Sequence, residues 1–158
     1  MNPVNSTIVA NEFLTLADKA QDPLTPMQLL KLVYIAHGWM LGLFGRPLIS
    51  DKVEAWRYGP VIPSLYNQIR SFRSKAVVGP LKKMDGELDD HARDVVRQVF
   101  EKYGKMSGPM LSRLTHAKGT PWEATWDSES FGNSISNDLI EDHYKRLYIG
   151  RSGERAVA

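Results

Sequence analysis

The chain has 158 residues, 42% of them apolar and 24% charged, which suits one folded domain and excludes collagen-like, low-complexity and wholly disordered chains. Its 20 Lys and Arg against 18 Asp and Glu leave a formal charge of +2, too small to argue for a general nucleic-acid or membrane binder. The absence of cysteine removes disulfide scaffolds, cysteine zinc sites, iron–sulfur clusters and thiol nucleophiles together, and fits a reducing cytoplasm.

Met1 to Ala10 lacks the charged-then-apolar layout of a secretory signal. A first helix is expected from Ser6 or Thr7 to about Lys19, with Ile8, Val9, Phe13, Leu16 and Ala17 on one face. Gln21-Asp22-Pro23 breaks it. The second helix has the clearest start in the chain: Thr25 as N-cap, Pro26 at the first helical position, and Gln28 three residues on to complete a capping box. From Leu29 to Phe44 apolar residues cover almost the whole circumference, so this helix should be buried on most sides as the central element. Lys31 and His37 interrupt it, and it is shorter than the roughly 20 residues that span a bilayer, so it reads as the core helix of a soluble protein. Gly45 and Arg46-Pro47 end it.

Val53 to Tyr58 alternates with period two, and Gly59-Pro60 stops it with a turn. An extended segment is expected at about 52–57, with Pro47 to Ile49 as a candidate pairing partner. Pro63 opens a third helix over roughly 63–73, with Leu65, Tyr66, Ile69 and Phe72 as its apolar stripe. Residues 74–88 form a connection punctuated by Gly79-Pro80 and Asp85-Gly86. A fourth helix follows from about Asp89 to Tyr103, with acids at its start and Gly104 past its end. Ser107-Gly108-Pro109 opens a fifth, to about His116, and Thr120-Pro121-Trp122-Glu123 a brief sixth. Ser136 caps a final helix at about 137–147, with Leu139, Ile140, Tyr144 and Leu147 turned inward, and the tail at 149–158 is expected to fray. The fold class is therefore mainly α: a single compact helical domain over 1–158, its core at about 6–148, with a small extended element between the second and third helices.

Charge is uneven along the chain. Arg46 to Lys83 carries eight basic and two acidic residues, and Met84 to Glu101 carries six acidic and two basic. This describes either solvated faces or a polarised surface that steers a charged partner.

Catalytic and metal motifs are missing. His37, His91, His116 and His143 belong to no recognised ligand array. His37, on the central helix, reads as a satisfied core histidine. Thr115 and His116 diverge by about 100° on a helix and do not face each other as nucleophile and base. No glycine pair is followed by the Lys-Ser/Thr of a phosphate loop. Lys31 and Glu54 both need partners: either they approach each other and dock the extended segment on the central helix, or Lys31 snorkels to water. Trp56, Tyr58, Tyr66 and Trp122 read either as core or as an exposed aromatic patch beside the basic stretch, the composition of a protein-binding hot spot.

Three blocks in order carry a resemblance: Lys31-Leu32-Val33-Tyr34-Ile35-Ala36-His37-Gly38-Trp39, then Gly45-Arg46-Pro47-Leu48, then Glu54-Ala55-Trp56-Arg57-Tyr58-Gly59-Pro60-Val61-Ile62-Pro63-Ser64-Leu65-Tyr66. With Leu114-Thr115-His116 and Pro121-Trp122 downstream, they resemble the Panacea domain, the group of SocA-like antitoxins and phage-associated GepA-like proteins. The resemblance implies a small bacterial or prophage protein that neutralises a cognate toxin by direct contact, with no catalytic activity and no cofactor. By position its pattern points to Lys31, Tyr34, Gly38, Glu54, Trp56, Tyr58, Gly59, Pro60, Tyr66, Thr115, His116, Pro121 and Trp122. Gly38 is expected to permit a close helix contact, and His37 stands where members often carry Gln.

The function expected is that of a cytoplasmic antitoxin that binds a toxin protein and is not an enzyme. Trp56, Arg57 and Tyr58 are its anchors, and Arg70 and Arg73 its basic flank. The alternative is a prophage regulator that binds DNA through residues 70–83. Neither reading requires a metal or a membrane, and the sequence leaves the oligomeric state open.

Overall fold

Thr25 to Gly45 builds the element on which the others pack. The Thr25 side chain accepts from the Gln28 backbone N–H, and the Gln28 side chain accepts in return from the Thr25 N–H at 2.9 Å. Pro26 takes the first position of helix α2 (Pro26–Phe44), and Gly45, at φ +67°, ends it. Every residue from Leu29 to Gly42 is buried. By length and composition α2 could cross a membrane, yet its apolar stretch is 78% buried inside the protein, as a core helix requires. This computed structural model describes the backbone of residues 2–157 and the side chains of residues 2–150.

Helices α1 (Ser6–Ala20), α4 (Asp90–Tyr103), α5 (Gly108–Thr115) and α7 (Asn137–Val157) pack around α2, the most extensive contact being with α7. Their starts follow the expected chemistry: the side chains of Asn5, Asp89 and Ser107 each cap a helix by accepting a backbone N–H. α3 (Pro63–Ile69) is shorter than expected, since Arg70–Phe72 tightens into a 3-10 turn. α6 (Pro121–Thr125) is capped by Thr120.

The extended element is a three-stranded antiparallel sheet. β1 (Glu54–Trp56) lies between β2 (Gly59–Val61) and β3 (Asn133–Ser134). β1 and β2 form a hairpin whose two-residue turn is Arg57-Tyr58, so Gly59-Pro60 begins the return strand instead of making the turn. The expected pairing with Pro47 to Ile49 does not form. The backbone there is already engaged: Leu48 and Ile49 donate to His37, Val4 donates to Leu48, and Ser50 donates to Val4.

α7 corrects two further expectations. It runs on to Val157, past the expected end near 147, and only Ile140 and Tyr144 of its proposed inner residues are buried. Leu139 and Leu147 are exposed, because the narrow face against α2 has room for one stripe. The expected fraying concerns a tail whose side chains, from 151 onward, lie outside the described residues. The close approach of α7 depends on Gly38 and Gly42. A Cβ at Gly42 would stand 2.7 Å from Tyr144 Cβ, and one at Gly38 would overlap the Tyr144 ring. Gly38→Ala should therefore lower stability by about 1–3 kcal/mol through overpacking, read as a lower urea midpoint. An unchanged midpoint would show that the two helices can move apart freely.

His37 is a satisfied core histidine. Its Nδ1 accepts from Leu48 N at 3.2 Å and Ile49 N at 3.3 Å, which places the ring proton on Nε2, 3.0 Å from Asn137 Oδ1. Protonating Nδ1 would set an N–H against two N–H donors. Burial pushes this imidazole down to about 4 from its ordinary 6.5. The unfolded chain then binds a proton that the folded chain refuses, so acidification from pH 6.5 to 4 should remove up to about 3 kcal/mol of stability. His37→Gln supplies one acceptor and one donor without a titrating ring, so urea midpoints across that range should fall less for the variant.

Candidate functional site

The hairpin 54–61 is held at alternate carbonyls by side chains from three helices. Trp122 Nε1, on α6, donates to the Trp56 carbonyl at 2.5 Å. Ser112 Oγ, on α5, donates to the Tyr58 carbonyl at 2.5 Å, and Lys31 Nζ, on α2, to the Pro60 carbonyl at 2.8 Å. Gly59 adopts φ +125°, and a Cβ there would lie 2.9 Å from Lys31 Nζ, so this position admits only glycine without displacement. Thr115 returns its hydroxyl to the Leu111 carbonyl at 2.8 Å, and His116 Nδ1 donates to the Ser112 carbonyl. The His116 ring meets Trp122 edge-on at 5.3 Å. Trp122 thus holds the ribbon directly, Thr115 and His116 stand beside Gly59, and Pro121 opens α6.

The expected Lys31–Glu54 pair is absent. Lys31 makes no ion pair among the described residues, and Glu54 accepts from Trp56 Nε1 at 3.0 Å. Residues 54 and 56 share one face of a strand, which favours that contact, while Lys31 reaches the backbone of the next strand. Lys31 does dock the extended segment on α2, but through a carbonyl. Snorkelling is also ruled out, since the side chain is 3% exposed. Burial pushes its ammonium down to about 7 from 10.5.

The ribbon and the end of α3 enclose a cleft of about 430 Å³. Trp56, Arg57, Tyr58, Arg70 and Arg73, nominated from the sequence, all line it. Lys31 and Tyr66 join them. Trp56 meets Tyr66 edge-on at 5.2 Å and Phe131 at 5.2 Å on another side. The Arg57 guanidinium lies 5.7 Å from the centre of the Tyr58 ring, and Tyr58 is 67% exposed. Tyr34 and Gly38 lie elsewhere, buried in the core; burial also pushes the Tyr34 phenol up. Trp122 is core as well as clamp, at 8% exposure.

Sequence reasoning missed Ser112 and Phe131. Ser112 was legible in part, since Ser112, Thr115 and His116 fall on one helical face. Phe131 sits in an irregular segment without periodicity, and nothing local marks it. Ser112 Oγ lies 3.5 Å from His116 Nδ1, but the hydroxyl is given to Tyr58 and the Nδ1 proton to a carbonyl, so the ring nitrogen facing Ser112 is no base. Among the described residues no three His, Asp or Glu side chains gather as a metal site.

Residues 29–123, from the first turns of α2 to α6, match the family described as Antitoxin SocA-like, Panacea domain. The chain belongs to that family. All three clamping residues of this Panacea domain, Lys31, Ser112 and Trp122, fall inside the matched span, as does the whole hairpin. Antitoxin SocA of Caulobacter vibrioides (strain NA1000 / CB15N) is 29% identical over 156 residues, covering 90% of this chain and 83% of that protein. No solved structure matches it significantly.

The buried Lys31 gives the domain a pH signature. The unfolded chain keeps the lysine proton up to about 10.5, whereas the folded chain releases it near 7. Stability should therefore rise between pH 7 and 10.5, by at most about 1.4 kcal/mol per pH unit from this group. Lys31→Met, compared with the parent by urea melts at pH 7 and pH 9.5, should lose that contribution; equal slopes would contradict it.

Proposed function

We propose that this Panacea domain is an antitoxin that neutralises a toxin protein by direct binding, using the hairpin tip and the cleft beside it. The observation that carries the reading is an exposed tip on an immobilised backbone. Tyr58 is 67% exposed and the neighbouring Phe131 80%, yet the carbonyls of residues 56, 58 and 60 are each tied to a different helix. A surface ordered before encounter loses little conformational freedom on binding, so more of the contact energy remains as affinity. Exposed aromatic and Arg side chains over such a base have the composition of a binding hot spot. The SocA relative, named as an antitoxin, supports the same role. A binding role needs no reaction, so an enzymatic activity is not part of the proposal, and a cytoplasmic site of action goes with it.

The alternative of a DNA-binding regulator acting through residues 70–83 draws less support. Arg70 and Arg73 line an aromatic cleft on the hairpin side instead of tracking a phosphate backbone.

The test is coexpression with the product of the flanking gene. Cells expressing the neighbour alone should stop growing, and this protein should restore growth and copurify with it. Tyr58→Ala combined with Arg57→Ala should fold normally and weaken binding by about 2 kcal/mol or more, roughly thirtyfold in Kd. A neighbour harmless to cells lacking this protein would defeat the assignment.

A further inference from the structure

Lys31 spends one of its three N–H donors on the Pro60 carbonyl, and no carboxylate lies within ion-pair distance of it among the described residues. Its side chain is 3% exposed and stands in the wall of the cleft. Arg57, Arg70 and Arg73 stand around the same cleft, and no Asp or Glu lines it. Arg70 and Arg73 are exposed and form no ion pair among the described residues. Elsewhere some arginines are paired and some are not: Arg46 meets Asp89 at 2.7 Å, and Arg97 and Arg146 each meet carboxylates on their own helices, while Arg93 and Arg113 form no ion pair among the described residues. One carboxylate, Glu54, touches the wall through the Trp56 indole N–H, against the four cations Lys31, Arg57, Arg70 and Arg73 on the lining itself, so the concave surface carries a field that an anion completes.

The rest of the lining is apolar. Trp56, Tyr66 and Phe131 supply ring faces and edges, with Met27 and Leu30 from the first turns of α2. The volume, about 430 Å³, falls within the range of about 300–1,000 Å³ in which small ligands and inserted side chains bind. The cleft thus asks for two features in one occupant, an apolar body and a negative head.

Resting on the antitoxin reading, we propose that the cleft is the specificity pocket for an acidic segment of the partner protein, in which an apolar side chain lies against Trp56 and Tyr66 while an adjacent carboxylate meets Lys31, Arg70 and Arg73. A carboxylate suits this place because burial without a counter-ion disfavours the charged form of Lys31, and a partner's acid restores it. Arg at the mouth holds a carboxylate through paired N–H donors, and such a contact fixes orientation as well as charge. The partner is therefore expected to carry an Asp, a Glu or a chain-terminal carboxylate beside a large apolar residue on its contact face.

The experiment uses the whole chain and two matched probes. N-acetylphenylalanine carries the ring and the carboxylate; N-acetylphenylalaninamide carries the ring with a neutral head. Binding is followed by nitrogen-15 NMR on the Trp56 indole N–H, with adenosine monophosphate as a phosphate-bearing comparison. The acid should bind saturably at about millimolar concentration, and the amide about tenfold more weakly or worse. Arg70→Gln with Arg73→Gln changes only exposed side chains, so it should fold, and should weaken the acid about fivefold or more while leaving the amide unchanged. In cells, Arg70→Glu with Arg73→Glu should reduce rescue from the toxin. Equal binding of acid and amide would overturn the proposal, because the cleft would then read apolar surface alone. Tighter binding of the nucleotide than of the acid would overturn it in favour of a phosphate ligand. Undiminished rescue by the Glu double variant would overturn it too, while leaving the antitoxin reading intact; that reading fails separately if the neighbouring gene product is not toxic.

Discussion

Three hydrogen bonds from three helices to the carbonyls of residues 56, 58 and 60 are the constraint on which the working surface depends. A hairpin with three residues in each strand is not stable in water by itself. Its buried polar backbone needs donors, and the two-residue turn leaves few within the ribbon. Trp122, Ser112 and Lys31 provide an indole N–H, a hydroxyl and an ammonium from α6, α5 and α2. The ribbon therefore takes its shape only when all three helices are packed. In exchange, the tip residues Arg57 and Tyr58 are carried into solvent on a fixed base.

Lys31 links this arrangement to the core. It stands on a helix buried from residue 29 to 42, where a charge is least welcome, and its head reaches Pro60 past a glycine that leaves room for it. The same position puts it in the wall of the cleft. One side chain thus joins the apolar spine, the ribbon and the concave surface. His37, two turns further along α2, does a comparable task without charge: it gathers the backbone of Leu48 and Ile49 on one nitrogen and meets Asn137 of α7 with the other. Lys31 and His37, within the buried stretch of this helix, anchor chain segments that follow it.

The family match ends within α6, whereas α7 lies beyond it and still makes the largest contact with α2. The matched span therefore contains the hairpin and its three clamps, and the last helix supplies cover for the spine through Tyr144. Beyond the matched span the chain also adds Phe131 to the cleft and β3 to the edge of β1.

Much was readable along the chain. Thr25-Pro26 with Gln28, Asp89, Ser107 and Thr120 marked helix starts because capping is settled within three or four residues. The all-round apolar run to Phe44 identified the buried helix, and the ordered Lys-Leu-x-Tyr and Tyr-Gly-Pro-Val blocks identified the family. Trp56, Arg57, Tyr58, Arg70 and Arg73 were singled out as a group, although not as the lining of one cleft. Local reasoning leaves Lys31 between an ion pair with Glu54 and an escape to water, and the structure shows neither; it offers residues 47–49 as the partner of β1, and it misses Ser112 and Phe131. Each of these depends on contacts across long separations: the three clamps span 29, 54 and 66 residues. Caps, periodicity and turns belong to neighbouring residues and are written locally. Which carbonyl a buried lysine meets, and which aromatic rings share a cleft, is decided only when helices distant in sequence pack and exclude water from what lies between them.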